Sequence, residues 1–449
     1  MRQGGSILRK LYLMVNILPF RGVRYDEAAV GTTLDSLVAP PYDVISPADQ
    51  DALYAKHPAN VVRLILGREE DKYSQAAVLF REWLVTGTLK ADDTPAFYIY
   101  RQTFDDPATG QGFPERLGLI CLLKLEDYTT GKVLPHEKTL TGPKADRLEL
   151  LRATEAQFES IYGLFSDPDD SVRMFIQEYD DRESIIERVD GVLGCTHKLE
   201  RLTDPDGQAV LQELMADKVV FIADGHHRYE TSLTYQREIR DAHPGSAPLA
   251  ADYILITLTA FEDEGLLVLP THRLVKNVPP ETLAALPSLL AESFTLHSSS
   301  AETIEAEIAA QADLGKTAFG IVLPSGAVQI AMLNTGPVAG SSTAERLPVS
   351  LLGTLILDKS LNITPDKVAA GGFVSYTRDL AEAVSSVSRG DAQAAFLLGR
   401  PTVNEIRDVS LAGDVMPQKS TFFYPKLLSG LVLRDLRLDQ AMLDDGDVS

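Results

Sequence analysis

Lys218-Val219-Val220-Phe221-Ile222-Ala223-Asp224-Gly225-His226-His227-Arg228-Tyr229-Glu230-Thr231 is the stretch on which the fold turns. Val219 to Ala223 is apolar and rich in β-branched residues, the pattern of a buried strand. Asp224-Gly225 marks a tight turn. A helix is predicted from there to about Ala242, with Tyr229, Leu233, Gln236 and Ile239 on related faces. The unit is strand, turn, helix. A glycine at that junction leaves the first backbone N–H groups of the helix to attract an anion, and the helix dipole adds to the attraction. Arg228 can make paired bonds to phosphate oxygens. His226 and His227 can donate to phosphate or carry protons. Asp224 can cap the helix, orient Arg228 or hold Mg²⁺. A lone Asp-Gly would read as an ordinary capped helix. Asp-Gly-His-His-Arg after an apolar strand reads as a phosphate site.

Outward from this motif the chain alternates helix and strand, which predicts a mixed α/β protein. Asn60 to Leu66 reads as a strand, and Ala96–Tyr100 with Arg116–Leu125 as a hairpin. Helices are expected over Lys72–Leu84 and Arg147–Phe158. Beyond about residue 280, helices rich in Ala, Glu and Leu alternate with strands. The expected organisation is a catalytic core over 14–279 and an additional α/β domain over 280–435. Residues 1–13 and 436–449 are expected to be disordered extensions, with Met14 as the translation start and a signal peptide as the alternative.

Composition narrows the partners. The chain has 449 residues, and 42 Lys+Arg against 64 Asp+Glu give a net charge of −22. Such acidity disfavours nucleic acid and anionic membranes, which need a positive field. No run of about 18 apolar residues occurs, so no membrane span is expected. Cys121 and Cys195 are too few for a disulfide scaffold or a four-cysteine metal site. Both read as inert thiols and Trp83 as a core residue. The expected location is the cytoplasm, and a homodimer is left open.

The motif resembles the phosphate loop of the ParB/sulfiredoxin-like superfamily. Wider matches identify one branch, a widespread family of uncharacterised bacterial and archaeal proteins. They are Ala39-Pro40-Pro41-Tyr42-Asp43-Val44-Ile45, Asn60-Val61-Val62-Arg63-Leu64, Pro135-His136-Glu137-Lys138-Thr139, Asp224 to Tyr229, Pro270-Thr271-His272-Arg273, and Met416 to Lys426. The resemblance implies a ParB/sulfiredoxin-like nucleotide-binding core elaborated by an additional α/β region. Through the superfamily's free-serine kinases it further implies ATP- or ADP-dependent, Mg²⁺-assisted phosphorylation of L-serine or a related hydroxy acid. Two departures matter. His226 stands where sulfiredoxin chemistry needs a cysteine. No Glu-Arg-Arg loop or helix-turn-helix of the ParB kind is seen.

Within that reading Glu137 is the candidate base for a substrate hydroxyl. Asp224, His226 and His227 complete the catalytic set. His136-Glu137 does not begin a zinc-peptidase motif, because Leu140 stands where the second histidine belongs. Gly225, His226, His227, Arg228, Lys138 and Thr139 are the candidate phosphate binders, and Lys144 and Arg147 could add positive charge. Arg63, Lys419, Ser420, Thr421 and Lys426 are candidates for the substrate's acid group, although Arg63 could instead pair with Asp43. Tyr42-Asp43 and His272-Arg273 are lesser candidates. Two further readings stand beside the kinase: a nucleotide- or phosphometabolite-binding regulator without catalysis, and a phosphohydrolase. A nuclease is the weakest.

Overall fold

The computed structural model describes residues 15–137, 142–179, 182–246, 248–336 and 340–445. The fold is mixed α/β, and the chain divides into two compact units. The first comprises 1–135, 139–267 and 425–449, and the second 136–138 and 268–424. The expected boundary at 279/280 thus lies at 267/268, and the chain re-enters the first unit at Pro425.

The first unit is built on a nine-stranded sheet. Its main path runs Val133–Pro135, Val220–Asp224, Ile161–Phe165, Tyr253–Ala260, Arg116–Lys124, Phe97–Phe104, Cys195–Leu202, Glu183–Val192. Ile17–Leu18 also pairs with Arg116–Lys124. Val220–Asp224 runs parallel to Val133–Pro135 and antiparallel to Ile161–Phe165. Phe97–Phe104 and Arg116–Lys124 form the expected antiparallel pair. Arg116–Lys124 is buried along nearly its whole length, which explains its almost unbroken apolar run.

Helix His226–Ala242 buries two faces. Tyr229 and Leu233 join the sheet core, while Tyr235 packs with Leu151, Ala250, Ala251 and Leu436. Helix Gly142–Thr154 lies beside it, and Lys72–Thr86 packs on Gly142–Thr154. Trp83 is buried, as are both cysteines. Burial raises the Cys121 thiol pKa, and raises that of Cys195 to about 12, so neither is a thiolate at neutral pH.

Two expectations need correction. Asn60–Leu66 is not a strand, for Val62–Ile65 is a short helix. The fully buried Asn60 side chain accepts from Val62 N–H at 2.9 Å and donates to the Ser36 and Val38 carbonyls, turning the backbone at that point. Nor is the stretch from 436 a disordered extension up to 445. Leu436–Asp445 is a helix with Leu436, Asp439 and Met442 buried, and Gln440 accepts from Ala250 N–H at 2.9 Å. Residues 1–13 and 446–449 lie outside the described residues.

The second unit carries a six-stranded antiparallel sheet. Its order is Phe294–Ser299, Val328–Leu333, Ala318–Val322, Ala394–Leu397, His272–Val275, Val374–Thr377. Helices Ile304–Asp313 and Leu380–Arg389 cover it through Ile304, Ile308, Ala383 and Val387. Among the described residues no helix is long and apolar enough to cross a membrane.

Candidate functional site

Strand Val220–Asp224 ends at Gly225, whose φ is +88°. A side chain there would be strained by the backbone and would meet Ile161 Cγ2 at 2.7 Å, so the turn requires glycine. Gly225 is the N-cap of helix His226–Ala242 and supplies no capping side chain. The first turn therefore keeps the anion-attracting character of a helix start.

Charged groups gather around this turn. Asp224 Oδ1 accepts from Lys426 Nζ at 2.5 Å, and Oδ2 accepts from Arg228 Nη2 at 3.0 Å. Burial works against the Asp224 carboxylate, but Lys426, Arg228 and His226 outweigh it and hold its pKa well below the ordinary range. Arg228 Nη1 also donates to the Ser160 carbonyl at 3.0 Å. Burial opposes the Arg228 charge, while Glu159, Asp224, Asp43 and Tyr42 stabilise it and leave its pKa raised.

Glu159 is the second anionic pole. Its Oε1 accepts from Tyr42 N–H and the Ser429 hydroxyl, each at 2.9 Å, and Oε2 lies 4.0 Å from Arg147 Nη1. The Arg147 guanidinium lies 4.1 Å from the centre of the Tyr42 ring and donates to the Ile65 carbonyl at 2.8 Å. Burial raises the Tyr42 phenol to about 12, against the pull of Arg228 and Arg147. Arg147, Glu159, Arg228, Thr231 and Ser232 line a cleft of about 60 Å³.

The network continues outward to Asp146, which accepts from Lys72 Nζ at 2.6 Å, from the Tyr73 hydroxyl at 2.8 Å and from Arg147. Burial pushes the Asp146 carboxyl up, but these partners win and lower it from 3.8 to about 2. A folded pKa below the unfolded one gives stability that is present above pH about 4 and lost as pH falls toward 2. The expected result is a melting temperature that drops across that window. In Asp146→Asn the drop flattens, and an unchanged profile would contradict the assignment.

The sequence candidates fall in both units. Asp224, Gly225, His226, Arg228, Arg147 and Lys426 come together in the first unit. Glu137 lies in the second unit, where its Oε1 accepts the Lys419 backbone N–H. His136 Nε2 and Thr421 Oγ1 are 2.8 Å apart, and the Ser420 hydroxyl donates to the Pro417 carbonyl at 2.5 Å. The Met416–Lys426 motif is thus divided: Lys419 bonds to Glu137 and Thr421 to the neighbouring His136, whereas Lys426 joins Asp224. Lys144 pairs with Glu230. His227 follows His226 in the helix's first turn. Arg63 donates to the Tyr54 carbonyl at 3.0 Å and lies over the Tyr54 ring, so it neither sits on a strand nor pairs with Asp43. Lys138 and Thr139 lie outside the described residues.

Both Asp224 oxygens are taken by cations. Among the described residues no three His, Cys, Asp or Glu side chains are placed to hold a metal ion. The described residues therefore do not fit a preformed Mg²⁺ cage.

A family model described as Protein of unknown function (DUF1015) matches residues 17–351. The chain belongs to that family. No curated protein matches it. Similar solved structures include a free serine kinase in complex with AMP, 13% identical over 65% of this chain and 83% of that one, with a TM-score of 0.36. A conserved hypothetical protein from Pyrococcus furiosus is 15% identical over 66% and 89%, with a TM-score of 0.35. SbnI with a C-terminal truncation, from Staphylococcus aureus, is 10% identical over 73% and 97%, with a TM-score of 0.36.

Sequence reasoning missed Glu159 and Ser429. Neither lies in a motif, and the one available hint is an acid two residues ahead of strand Ile161–Phe165, whose place beside Val220–Asp224 emerges only from strand pairing.

Proposed function

We propose that this DUF1015 protein is a nucleotide-dependent kinase of a small hydroxy acid, with L-serine the leading acceptor. The observation that carries this reading is the Gly225 turn, an uncapped helix start beside Arg228, Arg147 and Lys426. Such a turn suits the phosphates of ATP or ADP. Phosphoryl transfer asks for positioning and charge compensation more than covalent catalysis, and arginine and lysine supply both. The acceptor's hydroxyl oxygen bonds to the terminal phosphorus, the bond to the leaving nucleotide breaks, and the hydroxyl proton passes to Glu137. His226 and His227 are assigned to the phosphates. Lys419, Ser420 and Thr421 are assigned to the acid group. Magnesium belongs to this reading as a companion of the nucleotide, and the steps above rest on the chain's own residues.

The test is to incubate the protein with Mg-ATP or Mg-ADP and a panel of hydroxy acids, and to assay the phosphorylated product. Phosphoserine is expected. Glu137→Gln is expected to lower kcat about 100- to 10,000-fold, the range for loss of a general base, with little change in nucleotide affinity. Nucleotide binding without transfer to any acceptor would leave the regulatory reading standing. Phosphate release without an acceptor would favour a phosphohydrolase.

A further inference from the structure

The Pro270-Thr271-His272-Arg273 motif has no part in the reading above, yet it carries an unusual charge. Arg273 lies on strand His272–Val275, interior to the second unit's sheet, between Val374–Thr377 and Ala394–Leu397. It is 4% exposed. Its guanidinium donates to the Thr271 carbonyl and, at 3.1 Å, to the Lys419 carbonyl. The ring of Tyr376, its cross-strand partner, has its centre 5.5 Å away. Among the described residues no carboxylate stands within ion-pairing distance of it. Burial lowers its pKa to about 10, and Glu137 and Tyr376 attract it only through space.

A buried cation without a counter-ion is costly, and neutral carbonyls do not repay the lost hydration. Of the five N–H donors a guanidinium carries, two bond to carbonyls among the described residues. Arg273 is flanked by Lys419, a non-glycine residue at φ +56°. Left-handed backbone at such a residue is uncommon and tends to gather where ligands are held. His272 takes no part, because successive strand residues face opposite sides of the sheet.

We infer that Arg273 anchors a small carboxylate ligand in the second unit through paired guanidinium–carboxylate hydrogen bonds, with Tyr376 and the Lys419 segment as its walls. The planar fork of arginine matches a carboxylate, which lysine does not. The site stands on its own geometry and rests on the kinase reading only for the expectation that the acid is the phosphoryl acceptor.

The experiment is titration calorimetry of the full chain without nucleotide. L-serine and D-glycerate are the probes, serinol is the matched compound lacking the carboxylate, and inorganic phosphate is the competing anion. L-serine and D-glycerate are expected to bind at least 30-fold more tightly than serinol and phosphate. Arg273→Met is expected to weaken both acids about 100-fold while melting at or above the wild-type temperature, since it removes a buried charge that no carboxylate among the described residues pairs. Arg273→Lys, which keeps the charge but not the fork, is expected to lose about 10-fold. It serves as the probe should the methionine variant fail to fold. Equal binding of L-serine and serinol, or wild-type affinity for L-serine in the lysine variant, would overturn the site. The kinase reading fails separately, if acids bind as expected but accept no phosphate.

Discussion

Arg228→Met is expected to lower nucleotide affinity about 100-fold. Arg228 is held by Asp224 on one side and the Ser160 carbonyl on the other, so its guanidinium is oriented before any ligand arrives. Two charge-assisted bonds to phosphate, each of about 1.5–3 kcal/mol, cover a loss of that size. The variant leaves Asp224 paired with Lys426, so the turn keeps an ion pair and the fold is expected to survive. Lys426→Met acts in the same direction with a smaller effect, because an ammonium is a point charge without the fork. Titration with ADP at fixed ionic strength reads both. A change of less than about threefold in Arg228→Met would remove the arginine from the phosphate site.

The largest expected stability loss lies elsewhere, at Arg434. This arginine is fully buried and makes four bonds: to Asp439 at 2.5 Å, the Tyr253 carbonyl at 2.5 Å, the Ala250 carbonyl at 2.7 Å and Gln157 at 3.1 Å. It fastens the returning C-terminal segment to the first unit, next to the short pairing of Arg434–Asp435 with Ala156–Gln157. Asp439 is itself buried, and burial raises its carboxyl pKa against the pull of Arg434. Arg434→Met strands that acid along with the three other acceptors. Breaking one side of such a pair costs about 3–5 kcal/mol. Urea unfolding followed by Trp83 fluorescence reports on this unit directly, since Trp83 is the chain's single tryptophan. Adding Asp439→Leu is expected to restore part of the loss, because it removes the stranded charge but not the orphaned carbonyls. A loss below about 1 kcal/mol in Arg434→Met would contradict this account.

These two arginines show what a sequence can and cannot disclose. The Gly225 turn was legible because it is local: an apolar run, a glycine and an amphipathic helix lie within one stretch. The hairpin of Phe97–Phe104 and Arg116–Lys124 was legible for the same reason. Asn60–Leu66 misled because buried β-branched residues suit a strand and a buried helical turn alike, and the side-chain bonds of Asn60 decided between them. Arg434 and Glu159 carried little local signal: three of the four bonds of Arg434 and both hydrogen bonds of Glu159 span more than a hundred residues, although Asp439 is only five residues from Arg434. Lys426 stands close to Lys419–Thr421 in sequence, which suggests one loop. The chain crosses from one unit to the other within those few residues. Most of the fold's punctuation was therefore visible, and most of its electrostatic wiring was not.

A crystal structure of the protein with bound ADP decides whether nucleotide phosphates rest on the Gly225 turn. Phosphate oxygens are expected at about 2.7–3.1 Å from backbone N–H groups of His226 to Arg228, with the Arg228 guanidinium on the same phosphates. ADP bound away from that turn, or phosphates pointing into solvent with Asp224 and Arg228 untouched, would contradict that placement.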